Sequence, residues 1–242
     1  MSALGGDPHA VALRAFGAQQ TNTRAIVIVS AHWQTHAPIR ATAWEHAPLL
    51  YDFGGFPDEL YRIEYPAPGD PALASRIVAD IEGAIPEPRR GLDHGVWVPL
   101  RLAWPEATIP VVEISLPVAA CDEIFALGRK LRSLRDEGIL VAGSGGIVHN
   151  LSRVHLANKD AAVDPWAHEF DRWVADRVAR QDVEALFDYR DTAPHADLAV
   201  PTPEHFDPIF VTLGAAWPEE HIETIYEGFH YGNISMRSVA FG

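Results

Sequence analysis

Apolar positions along the chain follow two different periods. Ala25-Ile26-Val27-Ile28-Val29-Ser30-Ala31 is an unbroken, β-branched run that ends at His32-Trp33. A run this continuous predicts a strand covered on both faces. Two further segments, Ile109 to Leu116 and Gly138 to Gly143, carry the same signal, with a helical stretch from Asp122 to Asp136 between them. Strand, helix, strand in that order predicts a parallel sheet.

Helical spacing appears elsewhere. Asp7-Pro8 precedes Ala10, Val11, Leu13, Ala15 and Phe16, which reads as a helix with an Asp cap and Pro in its first turn, closed by Gly17. Gly69-Asp70-Pro71 opens a second helix through Ile81, with Leu73, Ile77, Val78 and Ile81 on one side. Further helices are predicted at Pro165 to Ala179, Val183 to Tyr189 and Thr202 to Ala215, and Ile234 to Phe241 alternates like a half-exposed edge strand. No repeat, low-complexity tract or Ser/Gly linker interrupts this pattern. The expectation is one α/β domain over residues 1–242, a central, mostly parallel sheet flanked by helices, with functional groups at the carboxyl ends of its strands.

Composition narrows the function classes. At 242 residues, 48% hydrophobic and 21% charged, the chain is long enough to bury a sizeable core and is neither disordered nor fibrous. Its formal charge of −14 repels phosphate backbones and anionic lipid, so neither nucleic acid nor a membrane is an expected partner. The single cysteine, Cys121, forms no intrachain disulfide and belongs to no zinc-finger spacing. Met1 to Asp7 carries neither the basic flank nor the apolar stretch of a signal peptide, and Ala25 to Val29 is far too short to span a bilayer. A cytoplasmic location is expected.

Twelve histidines remain to be explained. His32 follows a buried strand, His149 follows the turn Gly143-Ser144-Gly145-Gly146, His205 lies in Pro201-Thr202-Pro203-Glu204-His205, and His94 lies in a loop motif, Leu92-Asp93-His94-Gly95. Neutral imidazoles with open positions are the donors of catalytic zinc and of oxygen-activating ferrous sites alike, and spacing does not separate the two. Each residue also has a structural reading: a lone histidine after a strand is commonly a satisfied core side chain, Asp93 could orient His94 in a turn, and the glycines could form a phosphate nest, although no P-loop Lys follows. His36, His46, His155, His168, His221 and His230 read as surface histidines. Trp33, Trp97, Trp104 and Tyr51-Asp52-Phe53-Gly54-Gly55-Phe56-Pro57 could line an aromatic pocket or simply fill the core.

Taken as an ordered set, Ser30-Ala31-His32-Trp33, Tyr51 to Pro57 with Tyr65-Pro66-Ala67-Pro68-Gly69, Leu92 to Leu100, Gly143 to Leu151 and Thr202-Pro203-Glu204-His205-Phe206 resemble the 4,5-DOPA extradiol dioxygenase family of class III extradiol ring-cleavage dioxygenases. The resemblance runs to the closing Ser235-Met236-Arg237-Ser238. It implies an oxidoreductase that opens a catechol-type, DOPA-like ring with dioxygen at a mononuclear ferrous site, with zinc able to take the same place. Within that resemblance His32 and His205 are metal ligands, His149 is the acid/base, and His94 lines the substrate and oxygen pocket and can also carry a proton. Trp33, Asp93 and Asn150, beside those histidines, are candidates for substrate contact.

The chemistry asks for these residue types. A bound cation stabilises the phenolate and so helps a neutral imidazole remove the proton. A histidine that can return it favours cleavage beside the two hydroxyls rather than between them. Family members open on a strand ending in a His-Gly-Ser-Pro-like turn whose His is the first ligand. Met1-Ser2-Ala3-Leu4 matches the residues just after that turn, so that strand and ligand are expected to be missing, with a start site placed too far downstream as the favoured explanation and His9 as the nearest substitute. Two other readings stand beside the enzyme: an impaired metal-binding paralogue, and a zinc hydrolase using Glu204 as base.

Overall fold

The computed structural model describes residues 5–242, so Met1 to Leu4, and the expectations that rest on them, fall outside the described residues. The β-branched run forms β1 (Ala25–Thr35), the spine of a five-stranded sheet. On one side it pairs in parallel with β4 (Val111–Pro117), Ile26 facing Val111, and on the other with β5 (Ile139–Ser144), Val27 facing Val141. Two short strands, β2 (Arg40–Thr42) and β3 (Ile85–Glu87), extend the sheet in the order β3-β2-β4-β1-β5. The single antiparallel step is β2 against β4, at Ala41 and Ile114. The sheet is therefore mostly parallel, as expected.

Alternation along β1 divides the core in two. Val27 and Val29 face a large cluster with Val112, Ile114, Phe170, Val174, Phe206 and Phe210, while Ile26 and Ile28 face a second with Tyr65, Trp97, Leu100 and Val111. All of these are buried, and each aliphatic or aromatic side chain so enclosed contributes about 1.5–3 kcal/mol relative to exposure. The first face is covered by α2 (Pro71–Asp80), α4 (Cys121–Leu131), α5 (Pro165–Ala179) and α9 (Pro208–Ala215). The second is covered by α3 (His94–Ala103), against which α1 (Pro8–Gln19) packs through Ala10 and Leu13 on Leu102 and Ala103.

Caps at α1 and α2 follow the sequence: Asp7 accepts from the Ala10 amide and Asp70 from the Leu73 amide. Several expectations are corrected. Gly17 does not close α1 but lies inside it, where a Cβ would collide with the Ala103 carbonyl; the glycine serves close helix packing. The helix expected from Val183 to Tyr189 is broken at Asp188 into α6 (Val183–Phe187) and α7 (Tyr189–Thr192), which lets Tyr189 bury its ring 4.6 Å from that of Phe206; the single turn α8 (Ala196–Ala199) follows.

The helix expected from Thr202 to Ala215 is broken too. Pro208 has no amide to continue a helix and starts α9 instead, leaving Pro203–His205 as a separate 3-10 turn. The terminal edge strand is split at Met236-Arg237, where Asp171, buried, accepts from the Arg237 Nε at 3.0 Å and from the Ser235 hydroxyl at 2.6 Å. Its halves, β8 (Ile234–Ser235) and β9 (Ser238–Phe241), pair with β7 (Phe229–His230) and β6 (Ile222–Tyr226) in two small ladders apart from the central sheet. Among the described residues, no helix is long and apolar enough to cross a membrane.

Candidate active site

The site lies where β1, β5, the start of α3 and the 3-10 turn before α9 converge. The register of β1 against β4 slips between Val29 and Gln34, and in that irregular stretch His32 is open while Ala31 and Trp33 are buried. Ser30, wholly buried, accepts from the His32 amide at 3.2 Å and donates to Asp93 Oδ1 at 2.8 Å, which ties the end of β1 to the start of α3. Gly95 completes the join, because a Cβ there would meet the Ser30 hydroxyl and the His32 ring.

His94 does not lie in a loop, as its motif suggested, but is the first residue of α3, with Asp93 in the cap position. Its partner is not Asp93. Asp52, from the aromatic segment, accepts at Oδ1 from both the His94 amide (3.0 Å) and its Nδ1 (2.9 Å). Burial pushes the Asp52 carboxyl up, but these hydrogen bonds outweigh it and bring it down to about 2. The imidazole of His94 is thereby fixed through Nδ1.

His205 is held at its backbone and at its ring. Its carbonyl accepts from the Gly146 amide at 2.7 Å, and a Cβ at Gly145 would collide with that same carbonyl. The glycine turn is thus a close backbone seam, and it presses the His205 turn against the end of β5. The ring Nδ1 lies 3.1 Å from Glu204 Oε1, which also accepts from the Thr202 hydroxyl at 2.7 Å. Glu204 therefore orients His205, as a carboxylate beside a ligating imidazole does.

Four imidazoles form a continuous row. Ring centroids are 4.1 Å apart for His94 and His32, 5.1 Å for His32 and His205, and 3.6 Å for His205 and His149, the last pair stacked within 7°. Burial lowers His32 to about 4, helped by the neighbouring His94 and His205, and lowers His149 to about 4, helped by His205 and His32. Burial also lowers His205, against the opposing pull of Glu204. These rings are neutral at neutral pH, with lone pairs to offer. That donor set fits a borderline divalent metal. The ligand atoms of His32, Asp52 and His94 all lie within 4.8 Å of one another.

The aromatic segment flanks this row. Phe53 sets its ring perpendicular to His94 at 5.5 Å and packs on Tyr61 at 5.1 Å, while Tyr51 packs on Trp97 at 5.7 Å. Trp33, Asp93 and Asn150, expected to touch substrate, are each enclosed. Trp33 stacks under the Arg90 guanidinium, 4.8 Å from its carbon. Asp93 takes hydrogen bonds from Ser30 and from Arg90 (2.9 Å), beside a buried Glu113 whose carboxyl burial, and then the adjacent Asp93, push well above the usual carboxylate range. Asn150 spends its side chain on the Leu198 carbonyl and on Ser152. All three are committed to these enclosed contacts.

His9 does not join the row. Its ring packs on Tyr226 at 5.2 Å and its Nε2 stands 3.2 Å from the Ser238 hydroxyl, which ties α1 to the β6–β9 ladder. His230, read as a surface residue, is buried, with Nε2 3.9 Å from Asp7. The residue that sequence reasoning missed is Asp52. Its only signal was an acid placed among aromatics and glycines.

Comparison with known proteins matches this architecture. Residues 10–242 fit the family model described as the catalytic LigB subunit of aromatic ring-opening dioxygenase. The chain is 42% identical to the 4,5-DOPA dioxygenase extradiol of Escherichia coli (strain K12) over 226 residues, covering 90% of this chain and 82% of the relative. It is 38% identical to the 4,5-DOPA dioxygenase extradiol of Beta vulgaris over 225 residues, with the same coverage. The crystal structure of an uncharacterized protein from Escherichia coli K12 superposes with a TM-score of 0.84 at 35% identity, covering 97% of this chain and 93% of that one. With its mostly parallel sheet and its row of histidines at the strand ends, the chain belongs to the class III extradiol dioxygenases, the family of the catalytic LigB subunit of ring-opening dioxygenases.

Proposed function

We propose that the enzyme opens the ring of a catechol-type, DOPA-like aromatic beside its two hydroxyls, using dioxygen, at a metal site held by His32 and His205. The metal we assign is ferrous iron, with zinc able to occupy the same donors. The observation that carries this reading is the row of four imidazoles in which His205 and His94 are each anchored at Nδ1 by a carboxylate. Bound there, the cation would supply Lewis acidity toward the catechol oxygens and open positions for substrate and oxygen.

The protein's own groups do the rest. His149, unprotonated at neutral pH because it is buried, would take a hydroxyl proton. The proton it gains would be stabilised by Glu204, whose charge pulls in that direction. A second proton carrier is His94, whose orientation Asp52 fixes. Phe53, perpendicular to His94, offers an apolar wall for an aromatic ring. A cytoplasmic setting is part of this reading, since the single cysteine, Cys121, has no second cysteine in the chain to pair with.

The test is anaerobic reconstitution with ferrous iron, followed by oxygen uptake and visible spectra with DOPA and simpler catechols. Uptake in step with a yellow ring-opened product is expected. An iron-loaded, folded chain that consumes no oxygen with any of them sinks the reading and leaves a non-catalytic relative. Because Glu204 is committed to His205 and Thr202, hydrolysis with Glu204 as base has no support from the geometry.

A further inference from the structure

A cavity of about 390 Å³ opens where the start of α4, the junction of α6 and α7, and the turn that carries His205 meet. None of His32, His94, His149 and His205 lines it, so it is separate from the row of imidazoles. Its inner wall holds two buried polar side chains, Asp207 (3% exposed) and Tyr189 (2%). Neither the Asp207 carboxyl nor the Tyr189 hydroxyl has a hydrogen-bond partner among the described residues. Burial raises the Cys121 thiol to about 11 and the Tyr189 hydroxyl to about 12, and the Asp207 charge adds to both. The three groups therefore share one space. A buried carboxylate without a donor is costly, and a cavity at its oxygens is room for a ligand that brings one.

The surrounding charges select the ligand. Asp188 and Asp191 stand exposed at the mouth, so the cavity sets three carboxylates against one cation, Arg190. Arg190 is engaged elsewhere: its guanidinium lies over the Tyr189 ring at 5.1 Å, and its Nη1 is 3.4 Å from the Val200 carbonyl and 3.7 Å from Asp197. An entering anion would be repelled and a cation drawn in. We propose that this cavity is a second ligand site that takes a short aliphatic amine, its ammonium donating to Asp207 and Tyr189 and its methylene stem lying against Phe187 and Pro203. Pro203 and Asp207 bracket His205, and the Asp207 amide donates to the Pro203 carbonyl at 2.9 Å, so the amine would sit against the turn that carries His205. The proposal does not depend on the dioxygenase reading.

The experiment uses the full chain without added metal, so that no amine is held by a cation at the histidines. Calorimetric titration with 1,4-diaminobutane should show saturable binding, and its uncharged isostere 1,4-butanediol should show none. Asp207→Asn should weaken the diamine about 10–100-fold, the worth of a hydrogen bond between charged groups. Tyr189→Phe removes one oxygen that has no partner in the fold, so it guards against a misfolded Asp207 variant and should weaken binding about 2–10-fold. No binding of the diamine, equal binding of diol and diamine, or equal diamine affinity in the parent and both variants would overturn the proposal. A measurement on the parent alone stands beside these. Cys121 is the only cysteine and lines the same cavity, so saturating diamine should slow its alkylation by iodoacetamide, and an unchanged rate would equally overturn the site.

Discussion

The ring of His149 lies flat on that of His205, 3.6 Å between centroids and 7° between planes. Stacked in this way, the two imidazoles cannot both turn their lone pairs to one point between them without one ring rotating away. This separates a ligand from a base. His149→Ala should therefore leave ferrous affinity largely intact while lowering turnover by about 10²–10⁴-fold, the usual worth of a placed acid/base. Titration of metal into the variant, beside its oxygen uptake, checks this, and joint loss of binding and turnover would move His149 into the ligand set.

Glu204 touches His205 at Nδ1 and is itself held by Thr202. Glu204→Gln keeps the size of the side chain but removes the charge that makes the imidazole a better donor. Metal affinity should weaken by about 10–100-fold with little change in melting temperature. Equal affinity in parent and variant would show that Glu204 does not act through His205.

At Gly95 the start of α3 comes tightly against the end of β1. Gly95→Ala places a methyl against the Ser30 hydroxyl and the His32 ring, so strand and helix must part. We expect a loss of about 1–3 kcal/mol, typical of overpacking, together with weaker metal binding because His32 moves. Denaturant melts paired with metal titration test it, and an alanine variant that binds metal normally would contradict the proposed join.

Acid should destabilise the metal-free protein in a defined window. Burial brings His9 and His149 from 6.5 in the unfolded chain to about 4 in the native one. The unfolded chain therefore binds these protons first. Stability is fully present above 6.5 and is lost as pH falls towards 4, at up to ~1.4 kcal/mol per pH unit for each group. Melting temperature against pH should show this fall, and His9→Gln, remote from the row of imidazoles, should make it shallower. A flat profile through the window would refute the assignment.

What the sequence made legible was whatever depends on a continuous local pattern. β1, β4 and β5 were visible in their β-branched runs, and α5 was bounded at Pro165 and Ala179 as its Asp-Pro start and apolar spacing required. β2 and β3, three residues each, are too short to show a period, and their strand state comes from pairing with the rest of the sheet. The row of His32, His94, His149 and His205 could be named from motifs, but not the order in which they touch. Asp52 was hidden because its partner is 42 positions away and reaches it only once α3 has packed on β1. The same holds for Trp33, Asp93 and Asn150, which neighbour histidines of the row in sequence but are enclosed by contacts that only the folded chain makes.

The seam between the end of β5 and the turn that carries His205 is made by main chain on both sides, with Gly145 pressed to the His205 carbonyl and Gly143 to that of Pro208. An engineer reshaping the pocket for another aromatic inherits an uneven map of tolerance. The walls around Phe53 can be exchanged for larger or smaller groups without shifting His205, because no side chain there sets its position. Residues 143 and 145 allow no side chain at all, and a saturation library across this region should recover glycine there and diversity at Phe53 and Phe56.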